Sequence, residues 1–173
     1  MLILTISFAS ADSNKKNILI NGYSQLFSNF DSMTMSDTLL LFKFESDKVE
    51  KLSGRVTKLG EEMVKELSVL QKKSSWLKLD DEGETTFSKK VSEVSRQRRV
   101  KALLPLVGDD QQAFERGLLL LFSVLASSNM DKIKLLKEID SDKERVIFLN
   151  SANEKLEKLN RDVSQMLNKY YFK

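Results

Sequence analysis

Histidine and cysteine are both absent from this 173-residue chain, and proline occurs once. The commonest zinc, copper, haem and thiolate ligands are therefore missing. Histidine-dependent triads and cysteine nucleophiles are excluded as well. No Glu-x-x-His motif can build a di-iron carboxylate bundle. These absences weigh against catalysis, and no cofactor is expected. Without cysteine there is no disulfide framework, so the redox compartment cannot be read from thiols. No apolar run reaches the ~18–20 residues that a membrane span requires, and Asn-x-Ser/Thr does not occur. An excess of one charge is lacking too: 28 basic residues face 25 acidic ones, a net +3. A nucleic-acid binder usually concentrates positive charge on one face, so no nucleic acid is expected among the partners.

What the chain does have is apolar periodicity. Two stretches, Ser36 to Lys73 and Asn129 to Tyr170, keep 3- and 4-residue apolar spacing without a proline. That spacing predicts long amphipathic helices packed in coiled-coil fashion. In the first, Phe42, Val49, Leu52, Val56, Leu59, Met63, Leu67 and Leu70 form the seam, with Ser36 or Asp37 as N-cap. A straight rod of that span would be about 57 Å long. Gly54 and Gly60 lie inside it, each costing about 1 kcal/mol against alanine, so packing must hold the helix there. In the second, Leu135, Ile139, Val146, Leu149, Leu156, Val163 and Met166 continue the seam and Asn129 caps it. Asp140, Lys143 and Asn150 dilute the pattern midway and predict a local bend.

Between and before these stretches the pattern gives three shorter helices: Lys15 to Asp31, Thr85 to Leu104 and Asp110 to Ser127. The first turns Leu19, Tyr23, Leu26, Phe27 and Phe30 to one face. The next directs Phe87, Val91, Val94 and Ala102 inward and ends at Pro105, which lacks a backbone donor. In the polar connection from Lys72 to Glu84, Trp76, Leu77 and Leu79 are expected to anchor the loop to the bundle end. The helix from Asp110 contains Gly117 to Ala126, apolar all round except at Ser123. Such a helix is expected to be central and buried.

The opening residues carry a different signal. Met1 to Ala11 is a short apolar run ending in Ala9-Ser10-Ala11, the small-x-small form of a signal-peptidase site, followed by polar Asp12 to Lys16. No Lys or Arg precedes the run. Residues 1–11 are accordingly expected to be an export signal, 12–173 a single helical domain, and the protein secreted or extracytoplasmic.

Candidate sites each have a plain alternative. Glu61-Glu62, Asp80-Asp81 and Asp109-Asp110 are read as capping or solvating carboxylates, because acid–base pairs need environments that split their pKa values. Asp140-Ser141-Asp142-Lys143-Glu144 has the oxygen spacing of a calcium loop. Arg145 replaces the required glycine and Ser151 the bidentate glutamate, which rules it out. Arg96, Arg98, Arg99 and Lys101 form the one dense basic cluster. It reads first as a solvated helix face, second as a phosphate- or lipid-headgroup patch, third as a convertase cleavage site. Leu118, Leu119, Leu120, Leu121, Phe122 and Leu125 read as core, or as a concealed membrane-insertion element.

The expectation that follows is an all-α chain: an elongated antiparallel bundle of four to five helices dominated by two long amphipathic ones. Its expected role is a non-enzymatic, secreted protein-binding module, with a homodimer as one form of pairing. The alternative is a membrane-active or lipid-binding helical protein using residues 110–127. A bundle cavity lined by Phe and Met for an apolar ligand, and an enzyme, rank lower.

Overall fold

The computed structural model describes residues 4–36, 46–79, 90, 93, 94, 97 and 111–172, with side chains from residue 13 onward. Four helices make up the described fold: α1 (Leu4–Thr34), α2 (Asp47–Lys73), α3 (Gln111–Ile139) and α4 (Lys143–Tyr170). Among the described residues there is no strand. The chain is an all-α antiparallel bundle, and its seams show why. α1 buries Leu19, Tyr23, Leu26, Phe30 and Met33, in alternating 4- and 3-residue steps. α3 does the same with Leu119, Phe122, Ala126, Asn129, Ile133 and Leu136. Each helix thus has an apolar stripe that must be covered, and four stripes facing one axis cover one another.

Pairing is fixed by specific contacts. α1 and α2 run antiparallel: Lys16 lies over the Trp76 ring at 5.6 Å, while Phe30 and Thr34 abut Gly60 farther down. α1 and α3 are antiparallel, with Gly22 against Leu136 and Asn29 against Asn129. α2 and α4 are joined by Arg55–Asp162 and Lys73–Glu144, and α3 and α4 by Ser123–Asn160. The closest associations are α3 with α4 and α1 with α2, so the molecule is two helical hairpins stacked together. α2 and α3 are diagonal partners pointing the same way, so the link between them joins opposite ends of the bundle. One end, here the tip, gathers the last turns of α2 and α3 and the first turn of α4. The other end, the base, gathers the starts of α2 and α3 with the last turn of α4, while α1 ends partway down, where Thr34 meets Gly60 in the middle of α2.

Several boundaries differ from the sequence reading. α1 is longer, running unbroken from Leu4 to Thr34. Residues 4–11, read as an export signal, are helical and continuous with it, and the first buried side chain among those described is Leu19. α2 starts at Asp47 with Ser46 as N-cap, in place of Ser36 or Asp37. Phe42 lies outside the described residues. The other seven seam residues of α2 are all buried.

Asn129 is not a cap. α3 runs through it to Ile139, and the chain turns at Asp140–Asp142, where the Asp142 side chain accepts from the Arg145 N–H at 3.0 Å. The predicted rod from Asn129 to Tyr170 is therefore two antiparallel helices, broken where Asp140 and Lys143 dilute the pattern. The extended N-cap at Asp142 satisfies an orphan donor and makes that break firmer than a bend. Leu135, assigned to the seam, is 61% exposed, and its neighbours Ile133 and Leu136 take the core positions. Val94, expected to face inward, is exposed. Leu77 and Leu79 are buried and Trp76 packs against the same core, so the connection after α2 is anchored as its apolar residues suggest.

Candidate interaction surface

The interior is tied at both ends by polar groups. At the tip, Asp140 is 7% exposed and receives both Nε and Nη2 of Arg145, at 2.7 and 2.8 Å. Tyr23 of α1 donates its hydroxyl to the same carboxylate at 2.8 Å, and the Asp142 N–H adds a fourth bond at 3.0 Å. Arg145 also donates to Ser74 at 3.3 Å and stacks 4.9 Å from the centre of the Trp76 ring. Burial opposes the charge on Asp140, but the bonds from Arg145, the Asp142 N–H and Tyr23, with the Arg145 charge, together outweigh it and hold the carboxyl below its ordinary range. The Asp140 bond in turn raises Arg145. Burial, then the Asp140 bond, pushes the Tyr23 phenol far above its ordinary value. Both carboxylate oxygens of Asp140 are engaged, so the cluster fastens α1, α3, α4 and the end of α2.

At the base, buried Glu115 accepts from the Ser46 backbone N–H and from the Tyr171 hydroxyl, with Gln111 at 3.4 Å. Ser46 makes no side-chain capping bond, so the α3 carboxylate stands at the N-terminus of α2, where a negative charge is favoured by the helix dipole. Burial and the Glu115 bond raise the Tyr171 phenol. Beside it, Tyr170 is lowered by the bond from Lys48, whose ammonium lies 3.1 Å from its hydroxyl. Halfway along, Asn29 donates to Asn129 at 2.7 Å. A polar pair within an apolar seam sets register between α1 and α3.

The outer surfaces are mixed. On the α2–α4 side, Lys155 meets Glu62 at 2.7 Å and Glu66 at 3.5 Å, in line with Arg55–Asp162 and Lys73–Glu144. These exposed pairs contribute little individually, about 0–1 kcal/mol each. On α3 the picture differs from the sequence reading. Leu118, Leu119, Phe122 and Leu125 are buried, Leu121 is half-buried, and Leu120 and Val124 are 43% and 56% exposed. The helix expected to be wrapped on all sides is a bundle corner: four stripes around one axis leave every helix an outer face. Leu120 and Val124 stand one turn apart on that face, with Arg116 one turn before them.

Arg96, Arg98, Arg99 and Lys101 lie outside the described residues. Glu61 and Glu62, read from the sequence as solvating carboxylates, are exposed. What it missed is Glu115 and the Asp140–Arg145–Tyr23 cluster. Residues so far apart in sequence meet through the pairing of hairpins, for which no single helix carries a signal. Comparison with family models, curated proteins and solved structures finds no match to this chain.

Proposed function

We propose that the chain is a non-enzymatic protein-interaction module, exported from the cell, that takes a partner helix against the outer face of α3. The observation that carries this reading is the apolar ridge of Leu120 and Val124, exposed one turn apart on the outer face of α3. Apolar side chains at i and i+4 are the anchors by which one helix packs on another. A contiguous apolar ridge on a soluble surface marks contact with something else. Arg116 and Arg161 near the same face supply polar rims, and both are exposed. A second copy of the chain is one such partner. The engagement of the buried Asp140, Glu115 and Arg145 with neighbouring groups supports a fastening role over a chemical one. Export rests on the Ala9-Ser10-Ala11 pattern, and the core of described side chains starting at Leu19 is compatible with loss of 1–11.

The test is a photo-crosslinking residue at position 120 or 124, placed in the chain expressed in its own cells. A discrete protein adduct, from either position and absent from a probe at exposed Lys158 on α4, is the expected result. Adducts to lipid alone, or no adduct while the chain sediments as a monomer, would remove the basis for the reading. Mass spectrometry of the mature N-terminus tests export separately, with a start at Asp12 expected.

A further inference from the structure

The tip combines exposed aliphatic side chains, lysines and the single tryptophan. Three exposed aliphatic side chains each lie four residues from a helix end: Val69 before Lys73 in α2, Leu135 before Ile139 in α3, and Ile147 after Lys143 in α4. Four residues of helix are about 6 Å, so the three sit at one depth below the tip. Ile18 of α1, also exposed, is one turn nearer the tip than Gly22, which packs on Leu136. These side chains are on opposite sides of the bundle, Ile18 and Leu135 at the α1–α3 groove, Val69 and Ile147 at the α2–α4 groove. They form a collar, which suits something that surrounds the end of the bundle better than something that lies along one side.

Charge and aromatic content agree. Lys72 and Lys73 close α2, Lys137 is in the last turn of α3, and Lys143 opens α4. Lys15 and Lys16 of α1 lie at the same end, Lys16 over Trp76. Glu138, Asp142 and Glu144 oppose them, leaving a surplus of positive charge among the described residues of the tip. A lysine at the first position of a helix works against the helix dipole, so Lys143 is not explained by helix stability. Trp76, the single tryptophan of the chain, is half-buried at this end. Lysines over aliphatic groups with a tryptophan at the boundary match the interface of an anionic bilayer. Protein sinking of about 5–10 Å into that interface is typical, and it would submerge the collar.

We propose that the tip of the bundle docks end-on against an anionic lipid surface, with Ile18, Val69, Leu135 and Ile147 as the apolar collar and the tip lysines as its electrostatic contact. Among the described residues no helix is long and apolar enough to cross a membrane, so this is contact with one leaflet. α1 continues past the collar as helix to Leu4, and a leaflet docked on the uncleaved chain also meets that segment, whereas a chain starting at Asp12 presents the collar and lysines alone. Val124 lies about 16 Å along α3 from Leu135 of the collar, so the ridge on α3 stays clear of the leaflet. The inference therefore stands independently of the protein-binding reading.

Trp76 provides the readout. The full chain is mixed with vesicles of phosphatidylcholine alone or with phosphatidylglycerol at three parts in ten, and with the same lipids brominated at shallow or deep acyl positions. The expected result is binding to the anionic vesicles only, a blue shift of Trp76 emission, and stronger quenching by the shallow bromines. Lys72→Glu with Lys143→Glu should weaken partitioning at least about tenfold, since each basic residue near an anionic surface contributes strongly. Val69→Ser with Leu135→Ser and Ile147→Ser should weaken it comparably without changing the circular dichroism, because all three are exposed. Leu120→Ser with Val124→Ser should leave binding intact. No binding to anionic vesicles overturns the proposal. So does loss of binding in Ile6→Asn with Phe8→Asn while the collar variants bind normally, which would assign the contact to residues 4–11. Loss only in the Leu120/Val124 variant would put the lipid on the α3 flank and overturn it equally.

Discussion

Gly54 and Gly60 lie on the same helix and answer to different constraints. A Cβ on Gly60 would come within 2.7 Å of the Phe30 carbonyl oxygen and 2.8 Å of the Thr34 nitrogen, both backbone atoms. Nothing lies within 4 Å of the same atom built on Gly54. Gly60→Ala should therefore force α1 and α2 apart and destabilise the fold by about 1–3 kcal/mol. Gly54→Ala should stabilise it by up to about 1 kcal/mol through the propensity alone. Urea unfolding of the two variants measures both signs. The buried ionisable groups set a second expectation, for pH. Asp140 has a lowered pKa in the fold, so its contribution is present above the unfolded value of about 3.9 and is lost as pH falls through the folded one. Tyr23 and Tyr171 are raised, so their contribution is complete below about pH 10. Above that the unfolded phenols ionise first and stability declines. Melting temperature against pH should show an acid loss below about pH 4 and an alkaline loss from about pH 10. Tyr23→Phe should reduce the alkaline limb, and an unaltered limb would mean that Tyr23 is not held neutral by the fold.

At the scale of elements, α3 is where sequence reasoning was least complete. Its run from Gly117 to Ala126 has no polar face apart from Ser123, so periodicity could not say which side would be outside. The neighbours decide that: Leu119 and Phe122 fall on the face turned to the other helices and are buried, while Leu120 and Val124 fall on the outer face and are exposed. The consequence is a sharp contrast between adjacent residues. Leu119→Asp should put a carboxylate into the core and unfold the protein, a cost above about 4 kcal/mol. Leu120→Asp should alter stability by no more than about 0.5 kcal/mol. Thermal melts followed by circular dichroism separate the two, and equal damage from both would mean that α3 is enclosed. The seam of α2, by contrast, was legible residue by residue from Val49 to Leu70, because polar and apolar positions alternate there without ambiguity. The turn at Asp140–Asp142 was half legible. Dilution of the apolar pattern marked the place, but only the Asp142 cap and the Asp140–Arg145 pair make it a reversal instead of a bend.

For the molecule as a whole, the class of fold followed from apolar spacing, and the arrangement of the hairpins did not. Which helix faces which depends on small pieces of steric and polar fit: Gly60 under Phe30, Asn29 on Asn129, Glu115 at the start of α2. None of these is visible until two distant segments are brought side by side. The same arrangement creates both proposed surfaces, since the collar exists only if α2 and α3 end together and α4 begins there. The chain has no cysteine, so pairs of nitroxide labels can be introduced without background. Distances between labels at Lys51 and Arg116, and between Arg116 and Lys169, measured by pulsed electron paramagnetic resonance, test this arrangement most directly. The two hairpins stacked with α2 and α3 parallel place all three sites at the base, and both distances should fall under about 30 Å for helices packed 8–10 Å apart with label arms added. A Lys51–Arg116 distance near 40 Å would mean that α2 and α3 run in opposite directions. An Arg116–Lys169 distance near 80 Å would mean an unbroken rod in place of the second hairpin, and either value would contradict the account.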